Sequence, residues 1–301
     1  MRLFLVPQLR IRGRYQEWYP EYWLVEARKY FTEVKSILPM NEVYEKTNYF
    51  TNVEMALKNE LLQILALSTV ELRKDDIVFW LDIDFPGFIY PFTFFLKRHG
   101  VKVYGILHGY YRNPGDVWEG VERGEHYLGC IKNMDGIFVG TESFKRLILD
   151  DLQLDYILPD KIHVTGLPFF SKNFIKFRRY RKYMDVVMDR TDMSKEDYEE
   201  ILKYAKYVII GKRSETFGYT LLELLASGSK VACPDDIPVY REWKEKFGDG
   251  ILLYDRYNYS EQELFDRLRE LDVVRIDHKV FKYLEESAKR IFSIMLGEAR
   301  Q

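Results

Sequence analysis

Two glutamates flank a turn whose backbone is suited to binding an anion. Glu215 precedes this turn, and Glu223 follows it inside a predicted helix. An apolar run at residues 207–210 reads as a parallel strand, so the turn would lie at the carboxyl end of that strand. The first amides of the helix would then be donors for a diphosphate, and a glycine would allow close approach. The residues expected to supply these amides are Gly218, Tyr219 and Thr220.

The two carboxylates suggest what the rest of the ligand would be. They would be repelled by phosphate unless they bind neutral hydroxyl groups, and hydroxyl recognition is what a sugar and a ribose require. The spacing alone is weak, however. In the alternative interpretation both glutamates are solvated and the helix merely buries an apolar face, formed by Phe217, Leu221, Leu222 and Leu225.

The surrounding residues favour the functional interpretation. The stretch SETFGYTLLELLASGSKVACPDDIPVYRE, residues 214–242, resembles the signature of the retaining, GT-B-fold "group 1" glycosyltransferases. That signature has a Ser-x-x-Glu-Gly-Phe-Gly-like turn, a Glu-x7-Glu pair and a later Ile-Pro-x-x-x-Glu element. The resemblance implies an α/β fold of two Rossmann-like domains with parallel sheets facing across a cleft. It also implies metal-independent transfer of a sugar from a UDP-, GDP- or ADP-sugar to an acceptor hydroxyl, with retention.

The resemblance also implies roles for single residues. Glu215 and the backbone of Phe217 and Gly218 would contact the donor sugar, and Glu223 would bind the ribose. His108, at the end of a predicted strand in the first domain, would project towards the sugar, the alternative being a histidine satisfied by a local turn. Three residues on the same strand edge could bind acceptor hydroxyls or cap helices and turns: Asp82, Asp84 and Asn113.

Short apolar runs alternate with amphipathic stretches, which predicts βαβ units and parallel sheets covered on both faces. The predicted strands are 3–7, 77–82, 101–107, 136–139, 162–165, 186–188, 207–210, 230–233 and 251–254. The predicted helices are 17–38, 53–72, 88–99, 143–151, 194–204, 219–226, 261–271 and 280–296. We expect an acceptor-side domain at 1–168, a nucleotide-sugar domain at 169–279, and a terminal segment, 280–301, that packs back on the first domain.

The second domain departs from the family pattern. Only about 45 residues separate Pro168 from Ser214, and the family's Gly-Arg…Lys-Gly element, whose cations neutralise the diphosphate, is missing. We therefore expect an abridged domain in which other cations take over. The candidates are Arg190, Lys212 and Arg213, together with Lys176, Arg178, Arg179, Arg181 and Lys182 of a basic stretch. Because aromatic residues are interleaved with these cations, residues 172–183 could instead contact an anionic membrane surface or nucleic acid.

Composition narrows the remaining choices. A net charge of −2 argues against a bulk electrostatic grip on nucleic acid. Cys130 and Cys233 have no metal-binding spacing and are expected to be small buried side chains. The one Asp-x-Asp, at Asp82 and Asp84, falls in the wrong domain for a metal-dependent transferase, so we expect no metal ion.

No run approaches the roughly 18 apolar residues of a membrane span, and the start is too arginine-rich for a signal peptide. We therefore expect a cytoplasmic protein. Few glutamines and many Lys, Glu, Arg and Tyr residues fit a thermophile. Two rival functions remain: a degenerate, non-catalytic relative that binds a nucleotide or sugar, and a nucleic-acid-directed binder or transferase that uses the basic stretch.

Overall fold

A computed structural model describes residues 1–12, 15–37, 43–44, 53–84, 88–109, 124–152, 159–188, 193–213, 215–272 and 278–297. Contacts divide the chain into two units. Unit 1 comprises Met1–Gly140, Lys145–Thr165 and Ala288–Gln301. Unit 2 comprises Thr141–Phe144 and Gly166–Ser287. In the described part of the chain, no helix is both long and apolar enough to span a membrane.

Unit 1 contains a six-stranded parallel sheet made largely from buried apolar runs. Its strands are β1 (Arg2–Val6), β3 (Glu33–Ser36), β5 (Ile77–Trp80), β6 (Lys102–Ile106), β7 (Gly136–Val139) and β8 (Ile162–Val164). Their order is β3-β1-β5-β6-β7-β8. The direction of winding reverses between β1 and β5, as in flavodoxin-like sheets. A separate parallel pair consists of β2 (Arg10–Ile11) and β4 (Val43–Tyr44).

Helices cover both faces of this sheet. They are α1 (Tyr19–Ala27), α2 (Val53–Ser68), α3 (Ile89–Arg98), α4 (Gly124–Asn133), α5 (Glu142–Asp151) and, from the end of the chain, α12 (Ser287–Leu296). Right-handed crossovers place α1 on one face and α2, α3 and α4 on the other. On the α1 face, the ring of Trp23 lies edge-on to Phe79 of β5 and Phe292 of α12, with centroids 5.4 and 5.6 Å away.

Unit 2 contains a smaller, four-stranded parallel sheet. Its strands are β9 (Met184–Met188), β10 (Ala205–Ile210), β11 (Lys230–Pro234) and β12 (Ile251–Tyr254), in the order β12-β11-β10-β9. Its helices are α6 (Lys172–Ile175), α7 (Lys195–Tyr204), α8 (Tyr219–Ser227), α9 (Pro238–Phe247), α10 (Glu261–Glu270) and α11 (His278–Glu285). Leu264 and Leu268 of α10 pack on one face of the sheet. Right-handed crossovers put α7, α8 and α9 on the other face.

The predicted α/β class with two Rossmann-like parallel sheets is confirmed, but several elements differ from expectation. The predicted helix at 17–38 is wrong beyond Ala27, because residues 33–36 pair with β1 as an edge strand. The predicted terminal helix is divided at Glu286 into α11 and α12. Phe281 of α11 packs on Phe247 within unit 2, whereas Phe292 of α12 packs within unit 1. Helix α9 was not predicted.

Candidate functional site

The candidate site lies where the loop after β10 enters α8. Gly218 precedes the helix in the left-handed conformation, with φ 87° and ψ 38°. A Cβ on this residue would lie 3.1 Å from Nε1 of Trp243. That nitrogen is fixed, because it donates a hydrogen bond of 2.5 Å to the carbonyl oxygen of Phe217. Both the backbone conformation and the close indole therefore require glycine here.

The carboxylate of Glu215 accepts hydrogen bonds from backbone amides of the turn. Its Oε1 accepts hydrogen bonds from the amides of Thr216 (3.1 Å) and Phe217 (3.4 Å), and the amide of Gly218 also donates to it. The Nζ of Lys212 lies 2.7 Å from its Oε2, and both side chains are less than a fifth exposed. Burial raises the pKa of Glu215, but the Lys212 ammonium and the amide donors outweigh it, so the net shift is downward.

Glu223 lies about one turn inside α8, in a different electrostatic setting. The hydroxyl of Tyr198 on α7 donates to its Oε2. Burial raises the pKa of Glu223 to about 7, and the charge of Glu215 acts in the same direction. The Tyr198 hydrogen bond and Lys212 oppose this rise without cancelling it. The two glutamates thus differ in ionisation: Glu215 is a paired carboxylate, whereas Glu223 exchanges a proton near neutral pH.

Arg256 holds the loop that carries Lys212. Its Nη1 donates to the carbonyl oxygen of Gly211 at 3.0 Å, and its Nη2 donates to that of Lys212. Its Nε lies 2.8 Å from an Oδ2 of Asp236. Sequence reasoning missed Arg256. Its position just beyond β12, at the next carboxyl end of the same sheet, was the feature that could have identified it.

The structure brings most of the predicted donor-site residues together in unit 2. The tyrosine hydroxyl of Tyr219 donates to the carbonyl oxygen of Pro168 at 3.2 Å, and the side chain of Thr220 interacts with Tyr198. Arg213 is exposed on the same loop. Arg190 and Ser214 lie outside the described residues. The predicted residues that gather at the start of α8 are Lys212, Glu215, Phe217, Gly218, Tyr219, Thr220 and Glu223.

The basic stretch at 172–183 is partly structural. Arg178 donates from Nε to the carbonyl oxygen of Ala226 and from Nη2 to that of Leu225, both at 2.9 Å. Lys182 donates to the carbonyl oxygen of Leu202 near the end of α7. Arg178 therefore stabilises the carboxyl end of α8, opposite the end at Gly218 and roughly 12 Å from it at 1.5 Å per residue. A diphosphate at Gly218 would have to be neutralised by other cations.

His108 is buried at the carboxyl end of β6 in unit 1. Its Nε2 lies 2.9 Å from the carbonyl oxygen of Leu81, and its ring packs against Tyr15 and Tyr19, with centroids 5.3 Å away in each case. Burial lowers the pKa of His108 to about 4. The imidazole is therefore neutral at physiological pH and is fixed by a neighbouring backbone carbonyl.

The aspartates beside His108 organise a turn. Oδ1 of Asp84 accepts from the amide of His108 at 3.2 Å, and Oδ2 accepts from the amide of Gly109 at 2.5 Å. The amide of Asp84 donates in turn to Oδ1 of Asp82 at 2.9 Å. The turn-capping alternative therefore describes what both side chains do in this structure. Asn113 lies outside the described residues.

Metal-ligating side chains are scattered in the part of the chain that the structure describes, where no three His, Cys, Asp or Glu residues form a cluster suited to a metal ion. Cys130 and Cys233 are buried free thiols, which confirms the prediction of small buried side chains.

Comparisons with known proteins identify the fold. No family model and no curated protein matches the sequence. Sucrose-phosphate synthase from Thermosynechococcus elongatus matches with a TM-score of 0.57 and 8% identity, over 98% of this chain and 94% of that one. A structure described as "Trehalose-6-phosphate from E. coli bound with UDP-2-fluoro glucose" matches with a TM-score of 0.56 and 10% identity, over 99% and 96%.

A third similar structure is an alpha,alpha-trehalose-phosphate synthase (UDP-forming) from Burkholderia vietnamiensis. Its TM-score is 0.50 at 10% identity, over 98% of this chain and 96% of that one. At such low identity the likeness concerns the fold alone. The chain has the GT-B type of fold, with two Rossmann-like units, which confirms the fold that the sequence resemblance implied.

Proposed function

We propose that this chain is a glycosyltransferase that moves a sugar from a nucleotide-diphosphate sugar to an acceptor hydroxyl, with retention and without a metal ion. One observation carries the proposal: the two glutamates of the Glu-x7-Glu pair occupy opposite electrostatic settings at the carboxyl end of β10. Glu215 is ion-paired with Lys212, whereas Glu223 is bonded to Tyr198 and has a raised pKa of about 7. The GT-B type of fold supports the same interpretation.

Lys212 and Arg213 are the cations proposed to stabilise the leaving diphosphate. Negative charge develops on that group as the bond to the sugar breaks, and nearby cations stabilise it. Lys212 already binds Glu215, but an ammonium has three donors and can bind a phosphate oxygen at the same time. Arg256 supports this arrangement by fixing the carbonyl oxygens of the loop.

Glu223 is the proposed ribose ligand. A carboxylate can accept hydrogen bonds from two neighbouring hydroxyl groups, which is the arrangement that a ribose presents. Tyr198 would hold the carboxyl group in one orientation while the other oxygen binds the ligand. Because the pKa of Glu223 is raised to about 7, donor binding should strengthen as the pH rises through neutrality.

A thermal-shift screen of UDP-, GDP- and ADP-sugars, followed by measurement of released nucleoside diphosphate, tests the proposal. One donor class should raise the melting temperature, since binding to the folded state stabilises it. Glu223→Gln should weaken binding of that donor, and Glu215→Gln should abolish release of the nucleoside diphosphate. Glu245→Gln, on an exposed residue of α9, is the matched control. Absence of any donor-induced shift in the wild-type protein would contradict the proposal.

The second candidate is a non-catalytic relative that binds a nucleotide or sugar. One observation favours it: the carboxylate of Glu215 itself accepts hydrogen bonds from the amides of Thr216, Phe217 and Gly218. Of these amides, that of Gly218 is one of the donors that an incoming anion is expected to use. A donor-induced thermal shift without release of nucleoside diphosphate, at any pH between 5 and 9 and with any acceptor, would select this candidate.

A further inference from the structure

Unit 1 exposes large apolar side chains on two neighbouring helices. On α2 these are Leu61, Leu62 and Leu65, and on α3 they are Tyr90, Phe94 and Phe95. Leu65 is 62% exposed and Phe94 is 55% exposed. We call these six residues the apolar outer face. Single exposed apolar residues are ordinary, whereas a group on adjacent helices indicates an interaction surface.

A pair of hydrogen bonds fixes how α2 and α3 are aligned along their lengths. Oε1 of Glu60 on α2 accepts hydrogen bonds from the amides of Phe88 (2.7 Å) and Ile89 (2.8 Å) at the start of α3. Both helices lead into strands of one parallel sheet, so they run in the same direction from this point. Leu65 follows Glu60 by five residues, and Phe94 follows Ile89 by five. Leu65 and Phe94 therefore lie at similar heights on the two adjacent helices.

Cations border the apolar outer face at the carboxyl end of α3. A cavity of about 330 Å³ begins at Phe94 and is lined further by Lys97, Arg98, Lys132, Asn133, Met134, Asp135 and Lys161. Lys97 is paired with Asp135 at 2.5 Å. The ammonium of Lys161 donates to the carbonyl oxygens of Lys132 (2.8 Å) and Met134 (3.0 Å), which fixes it at the wall. Four cations thus share this lining with one carboxylate.

We propose that the apolar outer face and its border of cations dock onto an anionic lipid surface. Phe94, Phe95 and Leu65 would enter the boundary between headgroups and acyl chains, while Arg98 and Lys132 bind headgroup phosphates. A second copy of this chain fits less well, since a twofold contact through this face would bring the same cations together. The site differs from residues 172–183, where Arg178 and Lys182 bind backbone carbonyls.

Flotation of the full chain with phosphatidylcholine vesicles, with and without phosphatidylglycerol, tests the proposal. The wild type should float with the anionic vesicles only. Arg98→Glu with Lys132→Glu should lower the apparent affinity at least tenfold, because each cation near an anionic surface contributes about fivefold. Phe94→Ser with Leu65→Ser should lower the apparent affinity for anionic vesicles by a similar factor at low salt. These side chains are exposed, and circular dichroism checks that the variants fold.

Matched controls make the test specific. Tyr257→Ser removes a ring that is 90% exposed in unit 2, and Arg179→Glu with Arg181→Glu reverses two exposed cations of the 172–183 stretch. Neither control should change vesicle binding by more than about twofold. The proposal is overturned if the wild type does not float, if the controls lose binding as the face variants do, or if Phe94→Ser instead abolishes a concentration-dependent dimer. Flotation requires no donor, so it is independent of the proposed transferase activity.

Discussion

The hydroxyl of Tyr198 on α7 donates a hydrogen bond to the carboxyl group of Glu223 on α8. These residues are 25 positions apart in the chain, so the contact exists only because α7 and α8 pack side by side. It gives a buried carboxyl group a donor that stays protonated, since burial and the charge of Glu223 raise the pKa of Tyr198 well above its ordinary value. Glu223 is thereby oriented whether or not it is ionised.

The first prediction concerns stability against pH. Glu223 has an ordinary pKa of 4.5 and a folded-state pKa of about 7, so between these values the folded state binds more protons than the unfolded state. The contribution of Glu223 to the free energy of unfolding should therefore fall as the pH rises from 4.5 to 7, by about 1.4 kcal/mol for each unit of pKa difference. Urea unfolding of wild type and Glu223→Gln at several pH values measures this contribution.

The control for that experiment is Glu200→Gln, an exposed glutamate on the same helix as Tyr198. It should leave the wild-type pH profile intact, whereas Glu223→Gln should remove the fall due to Glu223 and leave that due to Glu60, whose pKa burial also raises to about 7. A Glu223→Gln profile that parallels the wild type would show that Glu223 does not carry the raised pKa.

The second prediction concerns the pair formed by Lys212 and Glu215. A double-mutant cycle of Lys212→Met and Glu215→Gln should give a coupling free energy on the order of 1–2 kcal/mol at pH 7, since either single change leaves a largely buried charge without its partner. The pKa of Glu215 is lowered in the folded state, so the coupling is present above pH 4.5 and is lost as the pH falls through the folded-state value.

The exposed pair Lys282–Glu286, 3.9 Å apart, provides the comparison for this cycle. Its coupling should be smaller, because solvent screens exposed pairs. Equal coupling in the two pairs would contradict the special role assigned to Lys212.

The third prediction isolates the steric requirement at Gly218. Gly218→Ala adds a Cβ 3.1 Å from Nε1 of Trp243 at a φ of 87°, so it combines backbone strain with a clash. Gly297→Ala adds a Cβ at a φ of 74° with no atom within 4 Å. The control should lose about 1 kcal/mol of unfolding free energy, and Gly218→Ala about 2–4 kcal/mol, with weaker donor binding. Equal losses of unfolding free energy in the two variants, measured by urea unfolding, would show that the Trp243 indole moves away from the added Cβ at no cost.

Strand prediction succeeded where the apolar runs are continuous and are bounded by turn residues. The sequence predicts β7 (Gly136–Val139) and β12 (Ile251–Tyr254) with the bounds found in the structure. It fails at β3, whose sequence Glu-Val-Lys-Ser continues a helical pattern and becomes a strand only through its hydrogen bonds to β1. Backbone pairing across the sheet overrides local preference there.

The candidate site shows the same division between local and long-range information. Glu215, Gly218 and Glu223 were predictable because one turn and one helix carry them, at fixed spacing in the sequence. Tyr198 and Arg256 were not, since the fold brings them from 25 and 44 residues away to Glu223 and Lys212. The basic stretch was misleading for a related reason. Charge density in a sequence does not reveal that Arg178 donates hydrogen bonds to backbone carbonyls of α8.

The final prediction separates those structural and electrostatic roles of the basic stretch. Arg178 bonds two carbonyl oxygens at the end of α8, so Arg178→Met should cost about 1.5–3 kcal/mol of unfolding free energy. Arg178→Lys should recover little of this, because an ammonium cannot reproduce the guanidinium fork. Arg179→Met, on the exposed neighbour, should change stability little. If Arg178 acted on a bound anion instead, Arg178→Met would weaken donor binding at unchanged stability and Arg178→Lys would restore it, so urea unfolding and thermal shift together decide between the roles.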